Sequence, residues 1–158
     1  MPKVDRKLLS IKAEVIENLK KIIKSENILD HEDETRPFET DALSAYKQKP
    51  LAVVFPENTQ EVSKILAYCN QERIKVVPRG AGTGLSGGAL PLADSLLLCL
   101  GKFNKIINID YKNRCVVAQP GVTNLSITQA VEDKGFYYAP DPSSQIACSI
   151  GGNVAENS

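Results

Sequence analysis

The sequence of 158 residues has no tryptophan and one histidine, and its 19 basic residues are balanced by 19 acidic ones. A formal net charge of zero gives no basic surface of the kind that binds nucleic acid or an anionic membrane, so neither is expected as a partner. The one histidine, His31, lies in the acidic segment DHEDE. We expect a solvated loop there and no catalytic base.

Long apolar runs and paired cysteines are also missing. No uncharged apolar stretch reaches the about 18 residues that a bilayer span needs. Residues 1–10 mix charged and apolar residues and lack the basic-then-apolar order of a signal segment. The sequence therefore predicts a cytoplasmic protein without a transmembrane segment. Cys69, Cys99, Cys115 and Cys148 form no C-x-x-C pair, which predicts no metal site. Cys69 and Cys99 lie among apolar residues and are expected to be buried.

Glycine, by contrast, is concentrated in one place. Residues 76–88 read VVPRGAGTGLSGG, and the apolar run from Arg73 to Pro78 predicts a buried strand that leads into the glycines. Glycine has no Cβ, so its backbone can adopt positive φ and lie against a ligand. Successive free N–H groups form a concave anion site. The loop therefore indicates a nucleotide or dinucleotide ligand, with a ligand-free glycine-rich hairpin as the alternative.

The loop fits a nicotinamide-binding fold poorly. Residues 82–87 match G-x-G-x-x-G by letter, but that motif requires a helix opening inside it and an acidic residue about 20 positions later. Gly88 and Pro91 disfavour the helix, while Asp94 comes too early and Asp110 too late for the acid. No G-x-x-x-x-G-K-[ST] sequence is present either, which excludes a P-loop.

A second segment, YAPDPSSQIACSIGGNVAENS at residues 138–158, is also rich in small and polar residues. Its prolines fix φ, its serines can hydrogen-bond to backbone or phosphate, and its two glycines permit close backbone approach. The residues concerned are Pro140, Pro142, Ser143, Ser144, Ser149, Gly151 and Gly152, with Asn153 offering an amide edge to a ring system.

The pair RGAGTGLSGGALP and PDPSSQIACSIGGNVAENS resembles the FAD-binding domain of the vanillyl-alcohol oxidase/PCMH flavoprotein family. Within that family it is most similar to the D-2-hydroxy-acid dehydrogenases, a group that includes D-lactate dehydrogenase and the FAD-binding subunit of glycolate oxidase. The resemblance covers residues 29–158. It implies an α+β fold: a small parallel β-α-β subdomain, followed by an incomplete subdomain with an antiparallel sheet and helices.

The resemblance also implies a domain plan. Residues 1–28 are expected to form an N-terminal amphipathic helix, and residues 29–158 a PCMH-type FAD-binding domain that stops short of its C-terminal end. The cap domain that carries the substrate site would be absent. FAD is expected to bind non-covalently: Thr83 stands where histidine-linked relatives carry their histidine, and no attachment motif surrounds Cys148.

Two sets of residues are predicted to bind the cofactor. In the first set, the amides of residues 80–84 would face the FAD diphosphate, and Arg79 would either neutralise phosphate or pair with a carboxylate of the fold. The first set is Pro78, Arg79, Gly80, Ala81, Gly82, Thr83, Gly84, Gly87 and Gly88. The second set is Pro142, Ser143, Ser149, Gly151, Gly152, Asn153 and Ala155.

The resemblance implies part of a flavin-dependent 2-hydroxy-acid oxidoreductase, in which a hydride passes from the substrate α-carbon to flavin N5. No catalytic residue can be assigned in this chain. The alternatives are a non-catalytic FAD-binding half of a split enzyme, an inactive truncated product and, less favoured, a nicotinamide-binding domain. Partners of the complete enzyme would be a small 2-hydroxy acid and either a downstream fragment or other oxidase subunits.

Hydrophobic periodicity predicts the elements in outline. A loop with one helical turn is expected between residues 30 and 50. Predicted helices cover 8–23, 58–73 and 125–134, and another begins behind Gly151-Gly152; the inner face of the second carries Val62, Ile65, Leu66 and Cys69. Predicted strands cover 51–55, 74–77, 95–100, 105–110 and 114–119, the first two joined in a parallel unit and the last two in a hairpin.

Overall fold

The computed structural model describes residues 4–157. They form two compact units. The first contains the described residues up to Arg79 together with Gly84–Cys99, and the second contains Gly80–Thr83 together with the described residues from Leu100 onward.

The predicted N-terminal and C-terminal segments begin and end outside the described residues, at Met1–Lys3 and at Ser158. The helical residues that follow position 4 belong to the same compact unit as the first sheet. The predicted domain boundary between residues 28 and 29 stays a prediction.

The first unit is built on a four-stranded sheet. Its strands are β1 (Ile28–Leu29), β2 (Ala52–Val54), β3 (Lys75–Arg79) and β4 (Ser95–Cys99), in the order β1-β2-β4-β3. Strands β2 and β3 both run parallel to β4, and β1 runs antiparallel to β2. Every residue of β4 is buried, as expected for the apolar run SLLLC in the centre of a parallel sheet.

Strand β3 differs from its prediction. The sequence predicts a buried strand, but β3 lies at the sheet edge and is half-buried, with Pro78 exposed. A proline lacks the N–H that a central strand needs and is tolerated at an edge. The expectation of a buried strand was therefore wrong at this position, and the sheet edge continues directly into the glycine loop.

Helix α4 (Thr59–Gln71) follows β2, as predicted. It begins at Asn58, whose side chain accepts a hydrogen bond from the Glu61 N–H at 2.9 Å, a typical N-cap. Ile65 and Cys69 are buried on the face that packs inward. The prediction that Leu66 shares this face is wrong, because its side chain is 43% exposed.

The predicted N-terminal helix is two helices, α1 (Arg6–Ser10) and α2 (Lys12–Lys20). The Ser10 hydroxyl donates to the Lys7 carbonyl at 2.7 Å, and the Ile11 N–H turns to the Leu8 carbonyl at 3.2 Å. A serine that bonds back to the preceding turn competes with the helical pattern in this way. The hydrophobic periodicity survives the break, since Leu8 and Leu19 are both buried.

A short helix, α3 (Glu32–Thr35), and a 3-10 turn, Arg36–Phe38, follow in the polar stretch after β1. The sequence predicts an ordered loop with one helical turn there, and the structure confirms that expectation. Proline at the second position of the 3-10 turn, Pro37, fits because the first turn of a helix has free N–H groups.

The second unit carries a two-stranded antiparallel hairpin. Strands β5 (Ile106–Asp110) and β6 (Cys115–Ala118) pair as predicted. In the turn, the Asn113 backbone N–H and side-chain amide donate to the Asp110 carboxylate at 2.9 and 2.7 Å. These two bonds lower the pKa of Asp110.

Two helices complete the second unit. Helix α5 (Asn124–Gln129) is shorter than predicted, and the rest of the predicted span is a 3-10 turn, Glu132–Lys134. Gly135 ends the turn at φ 75°, as the sequence predicts. Helix α6 (Ile150–Glu156) begins one residue before the two glycines rather than behind them.

Within residues 4–157, no helix combines the length and the apolarity that crossing a membrane requires. The arrangement is the predicted α+β fold, a parallel sheet with helices followed by an antiparallel hairpin with helices.

Candidate functional site

The glycine loop leaves β3 and stays free of regular structure up to β4. Among the described residues, no acceptor receives a hydrogen bond from the N–H groups of residues 80–84. Gly82 has φ 74°, a conformation that other residues adopt rarely. The loop thus presents a run of backbone donors that the fold itself does not use.

The part of the loop in the first unit is held by a turn and by a neighbouring segment. The Leu90 N–H donates to the Gly87 carbonyl at 3.2 Å, and Gly87 has φ 76°. A Cβ built on Gly87 would lie 3.5 Å from the Leu43 Cδ2. The segment around Leu43 therefore packs directly against this turn.

Arg79 binds backbone carbonyls. Its Nη1 donates to the Thr40 carbonyl at 2.8 Å and lies 3.5 Å from the Ala89 carbonyl. The guanidinium carbon is 5.7 Å from the ring centre of Phe38, within the range of a cation–π contact. The hydrogen bonds of Arg79 all go to carbonyls, and no carboxylate of residues 4–157 pairs with it, so the second of the two predicted alternatives finds no support in these contacts. Its role toward phosphate stays a prediction.

The two glycine-rich motifs meet in the second unit. A Cβ built on Gly80 would collide with the hydroxyl oxygen of Ser149, so only glycine fits this contact without a shift. Ser149 is buried and caps α6, where its hydroxyl accepts a hydrogen bond from the Gly152 N–H at 3.4 Å. The structure thus brings one residue of each predicted set into direct contact.

Gly151 packs against Pro120. Its N–H donates to the Pro120 carbonyl at 2.8 Å, and a Cβ would lie 2.6 Å from the Pro120 Cβ. The N–H groups of Gly151 and Gly152 are therefore both used within the fold. Their predicted contact with a cofactor stays a prediction, and close packing already explains Gly151.

Asn153 lies in the interior of the second unit. Its side-chain amide donates to the Asn124 side-chain oxygen at 2.5 Å, and the Asn124 amide lies 3.4 Å from the Pro140 carbonyl. Both asparagines are buried. This pair was not predicted, since nothing in the sequence links positions so far apart.

The remaining predicted residues lie at or near the surface. Ser143 is exposed in a turn that precedes α6, and Ala155 is exposed on that helix. Four further positions of the two sets are exposed or half-buried, and their cofactor contacts likewise stay predictions: Pro78, Ala81, Gly88 and Pro142.

The cysteines divide into three that are buried and one, Cys115, that is exposed. Burial raises the pKa of Cys69 to about 11 and that of Cys99 to about 12, so the prediction that both are buried apolar residues is confirmed. Cys148 is buried directly before Ser149. The His31 side chain is 83% exposed. No cluster of ligating side chains suited to a metal lies among residues 4–157.

A cavity of about 720 Å³ lies in the second unit, between the hairpin and α5. Its wall includes Ile109, Val116, Ile127, Val131 and Phe136. None of the predicted cofactor-binding residues lines it. The lining also includes Asp110, Arg114 and Tyr138, so the cavity is of mixed polarity.

The residues of the loop fit FAD chemically. In the second unit, the four consecutive amides of residues 80–83 have no acceptor in the described chain and match the diphosphate, which carries only acceptors in its ionised form. Gly82 at positive φ and Gly80 beside Ser149 add no side chain of their own to this run.

Comparison with known proteins assigns the class. Residues 50–158 match the family described as "FAD binding domain", which is more than half of the chain. The chain therefore belongs to this FAD-binding domain family, and FAD binding is the function that the sequence motifs predict.

The chain also resembles individual known proteins, in sequence and in fold. The chain is 51% identical to the glycolate oxidase subunit GlcD of Escherichia coli (strain K12), over 99% of this chain and 30% of that protein. It is 37% identical to a D-lactate dehydrogenase of Anaerostipes hadrus, over 91% of this chain and 30% of that protein. A solved structure of p-cresol methylhydroxylase matches with a TM-score of 0.80 at 20% identity, over 96% of this chain and 30% of that chain. The chain spans about three tenths of the length of these relatives.

Proposed function

We propose that the chain binds FAD non-covalently through the glycine loop, as the flavin-binding portion of a 2-hydroxy-acid oxidoreductase. The observation that carries this proposal is the run of amides at residues 80–84, which donate to no acceptor among the described residues. Membership of the FAD-binding domain family supports the choice of ligand. The names of the relatives, glycolate oxidase and D-lactate dehydrogenase, support a small 2-hydroxy acid as the substrate.

A bound flavin supplies an electron-accepting ring that takes a hydride from the α-carbon of such a substrate. The chain's own residues have three tasks in this proposal. The loop amides bind the diphosphate, Gly82 gives the backbone its required turn, and the contact of Gly80 with Ser149 fixes where the loop lies. No residue of the described chain is assigned to move the substrate's proton.

A non-catalytic FAD-binding half is the second candidate. It is favoured by the short span of the chain, 30% of the GlcD subunit. In that case a further polypeptide or another oxidase subunit would supply the substrate site. A nicotinamide-binding domain is disfavoured, because no helix opens between residues 80 and 94 whereas the Rossmann motif requires one.

Non-covalent attachment is supported by two residues. Thr83 has no nitrogen or sulfur that could bond to the flavin. Cys148 is 4% exposed, which limits the access that a covalent bond to a ligand would need. Acid precipitation of the FAD-loaded chain should release all of its flavin, and a yellow pellet would contradict the proposal.

The test of FAD binding is a titration of FAD with the purified chain, followed by quenching of flavin fluorescence, with NAD⁺ added as a competitor. We expect saturable quenching that NAD⁺ does not reverse. Absence of any flavin binding would overturn the proposed function. Reversal by NAD⁺ would favour the nicotinamide-binding alternative.

A further inference from the structure

Strand β6 is exposed although its sequence is typical of a buried strand. Residues 115–118 read CVVA, a continuous apolar run of the kind that occurs in a sheet covered on both faces. The comparable run SLLLC of β4 has a strand on each side and is buried throughout. In β6, Cys115 is exposed and Val117 is 51% exposed. Strand β6 has a neighbouring strand on one side only, so its second edge pairs with no strand of the described chain.

The second edge of β6 also lacks the features that normally prevent strand pairing. Edge strands usually carry a bulge, a proline or a charged residue. Strand β5 has a bulge, because the register of the ladder shifts between Ile106 and Asn108. Strand β6 has no bulge, proline or charged residue within Cys115–Ala118. No hydrogen bond joins residues 106–118 to another part of the described chain, so this edge is not used within the fold.

Both faces of the hairpin are apolar beside this edge. Val116 stands opposite Ile109 in the ladder, and both line the cavity of about 720 Å³. Successive side chains of a strand point to opposite faces, so Val117 lies on the other face, and Ile107 of β5 is also exposed. A strand placed along β6 would therefore extend two apolar faces, with alternate side chains on the face that borders the cavity. All of these residues belong to the second unit.

We propose that the free edge of β6 binds a β-strand of a further polypeptide, the part of a GlcD-type protein that has no counterpart in this chain. The inference rests on the proposed function, in its form of an FAD-binding half that another polypeptide completes. Backbone hydrogen bonds along β6 would supply the affinity, and the two apolar faces would select the strand. The chemistry of the hairpin calls for an uncharged segment with apolar side chains on both of its faces.

The relatives show where such a strand is available. The GlcD subunit of Escherichia coli (strain K12) matches 99% of this chain, but the match takes up 30% of that protein. A second copy of the chain fits the edge less well, because it would bring an identical cavity and no side chains to fill it. Pairing of two four-residue edges would also supply little of the roughly 1,200 Å² that a stable interface buries.

The test is to produce the chain together with the remaining part of E. coli GlcD as two polypeptides, so that they fold in each other's presence. Two quantities are measured: the amount of complex that a tag on the GlcD part recovers, and the hydrogen exchange of the β6 amides. Alternate amides of β6 point away from β5. We expect these amides to exchange at least about tenfold more slowly in the complex than in the chain alone. The amides of β4, which is paired on both sides, should not change.

The substitution Val117→Lys places a charge on the exposed face of β6, which is how natural edge strands prevent pairing. It should weaken the complex at least about tenfold. The matched control is Leu66→Lys, which changes another exposed apolar residue, on α4 of the first unit. This control variant should form the complex as the wild type does.

Absence of a complex with the wild type would overturn this inference, and so would a complex in which the β6 amides exchange as fast as in the chain alone. These wild-type measurements decide even if Val117→Lys does not fold. A dimer of the chain alone that Val117→Lys dissociates would assign the edge to a second copy and also overturn the inference. The fluorescence titration with FAD tests the proposed function separately, because no residue of β6 belongs to the glycine loop.

Discussion

Two consecutive glycines in α6 have different surroundings. A Cβ on Gly151 would lie 2.6 Å from the Cβ of Pro120 and 2.9 Å from its carbonyl oxygen, and these atoms belong to a ring and to the backbone. A Cβ on Gly152 would meet only the Ser149 hydroxyl, at 3.2 Å. A hydroxyl can rotate away, whereas the backbone of Pro120 cannot move without its neighbours.

Gly151→Ala should therefore destabilise the chain, and Gly152→Ala should do so much less. Overpacking of this kind costs about 1–3 kcal/mol, which exceeds the roughly 1 kcal/mol that alanine gains over glycine inside a helix. Urea unfolding of both variants measures the difference. Equal free energies of unfolding in the two variants would contradict the packing argument.

Gly82 is the residue on which FAD binding should depend most directly. Valine at φ 74° is strained, because a β-branched residue clashes in this region. Gly82→Val should raise the dissociation constant of FAD at least tenfold, about 1.4 kcal/mol.

The matched control is Gly101→Val in the second unit, where a Cβ would have no neighbour within 4 Å. Its affinity for FAD should equal that of the wild type. An unchanged dissociation constant of FAD in Gly82→Val would contradict the prediction that this loop binds the diphosphate.

At the scale of elements, Asp94 connects the chain before α1 with strand β3. Its Oδ2 accepts hydrogen bonds from the Asp5 N–H and from the Lys75 Nζ. Burial raises the pKa of Asp94, but the hydrogen bonds from Lys75 and Asp5 outweigh it and the net pKa is lowered. The ionised form is therefore the one that the folded chain favours.

This lowered pKa predicts how stability changes with pH. The stabilisation by Asp94 is fully present above the unfolded value of about 3.9 and is lost as the pH falls through the lower folded pKa. Asp94→Asn should cost about 2 kcal/mol near neutral pH, a typical value for hydrogen bonds to a charged group. The variant should also lose less stability than the wild type between about pH 5 and pH 2, and urea unfolding across that range measures both. A steeper acid loss in the variant would contradict this account.

The elements that hydrophobic periodicity marks most clearly were predicted well. Helix α4, strand β4 and the hairpin of β5 and β6 lie where the sequence places them, because each combines an apolar pattern with a cap or a turn residue. The break between α1 and α2 could not be predicted from periodicity, since the apolar pattern continues through it and the bond from the Ser10 hydroxyl to the Lys7 carbonyl leaves no mark on that pattern. Strand β3 lies at the sheet edge because of the order of the strands. That order is set by the pairing of all four strands, which a local sequence pattern does not contain.

The site was predicted in part. Glycine content marks the loop, and its free amides follow from the absence of regular structure. The contact between Gly80 and Ser149 joins residues far apart in the chain, and so does the Asn124–Asn153 pair. Neither contact leaves a local signal in the sequence.

At the scale of the whole molecule, the chain is expected to bind a cofactor without completing a catalytic cycle. It spans 30% of the GlcD subunit, and its one histidine is exposed. Catalysis requires a base within hydrogen-bond reach of the substrate proton and a site closed to water. We expect no turnover of glycolate or D-lactate by the FAD-loaded chain in a dye-coupled assay.

Addition of the remaining part of a GlcD relative as a separate polypeptide is the informative second arm of that assay. Turnover only in the mixture would support a flavin-binding half that depends on a partner. Turnover by the chain alone would contradict the expectation.

The four cysteine thiols differ in exposure, so their rates of reaction with a maleimide report on the unfolding of the chain. Cys115 is exposed, so a maleimide should label the native protein once, on the hairpin. Unfolding should release three more thiols: Cys69 and Cys99 from the first unit, and Cys148 from the second. Labelling followed by peptide mass spectrometry would time the opening of each unit separately. FAD that binds at the loop should slow whichever of these reactions requires the loop to come apart.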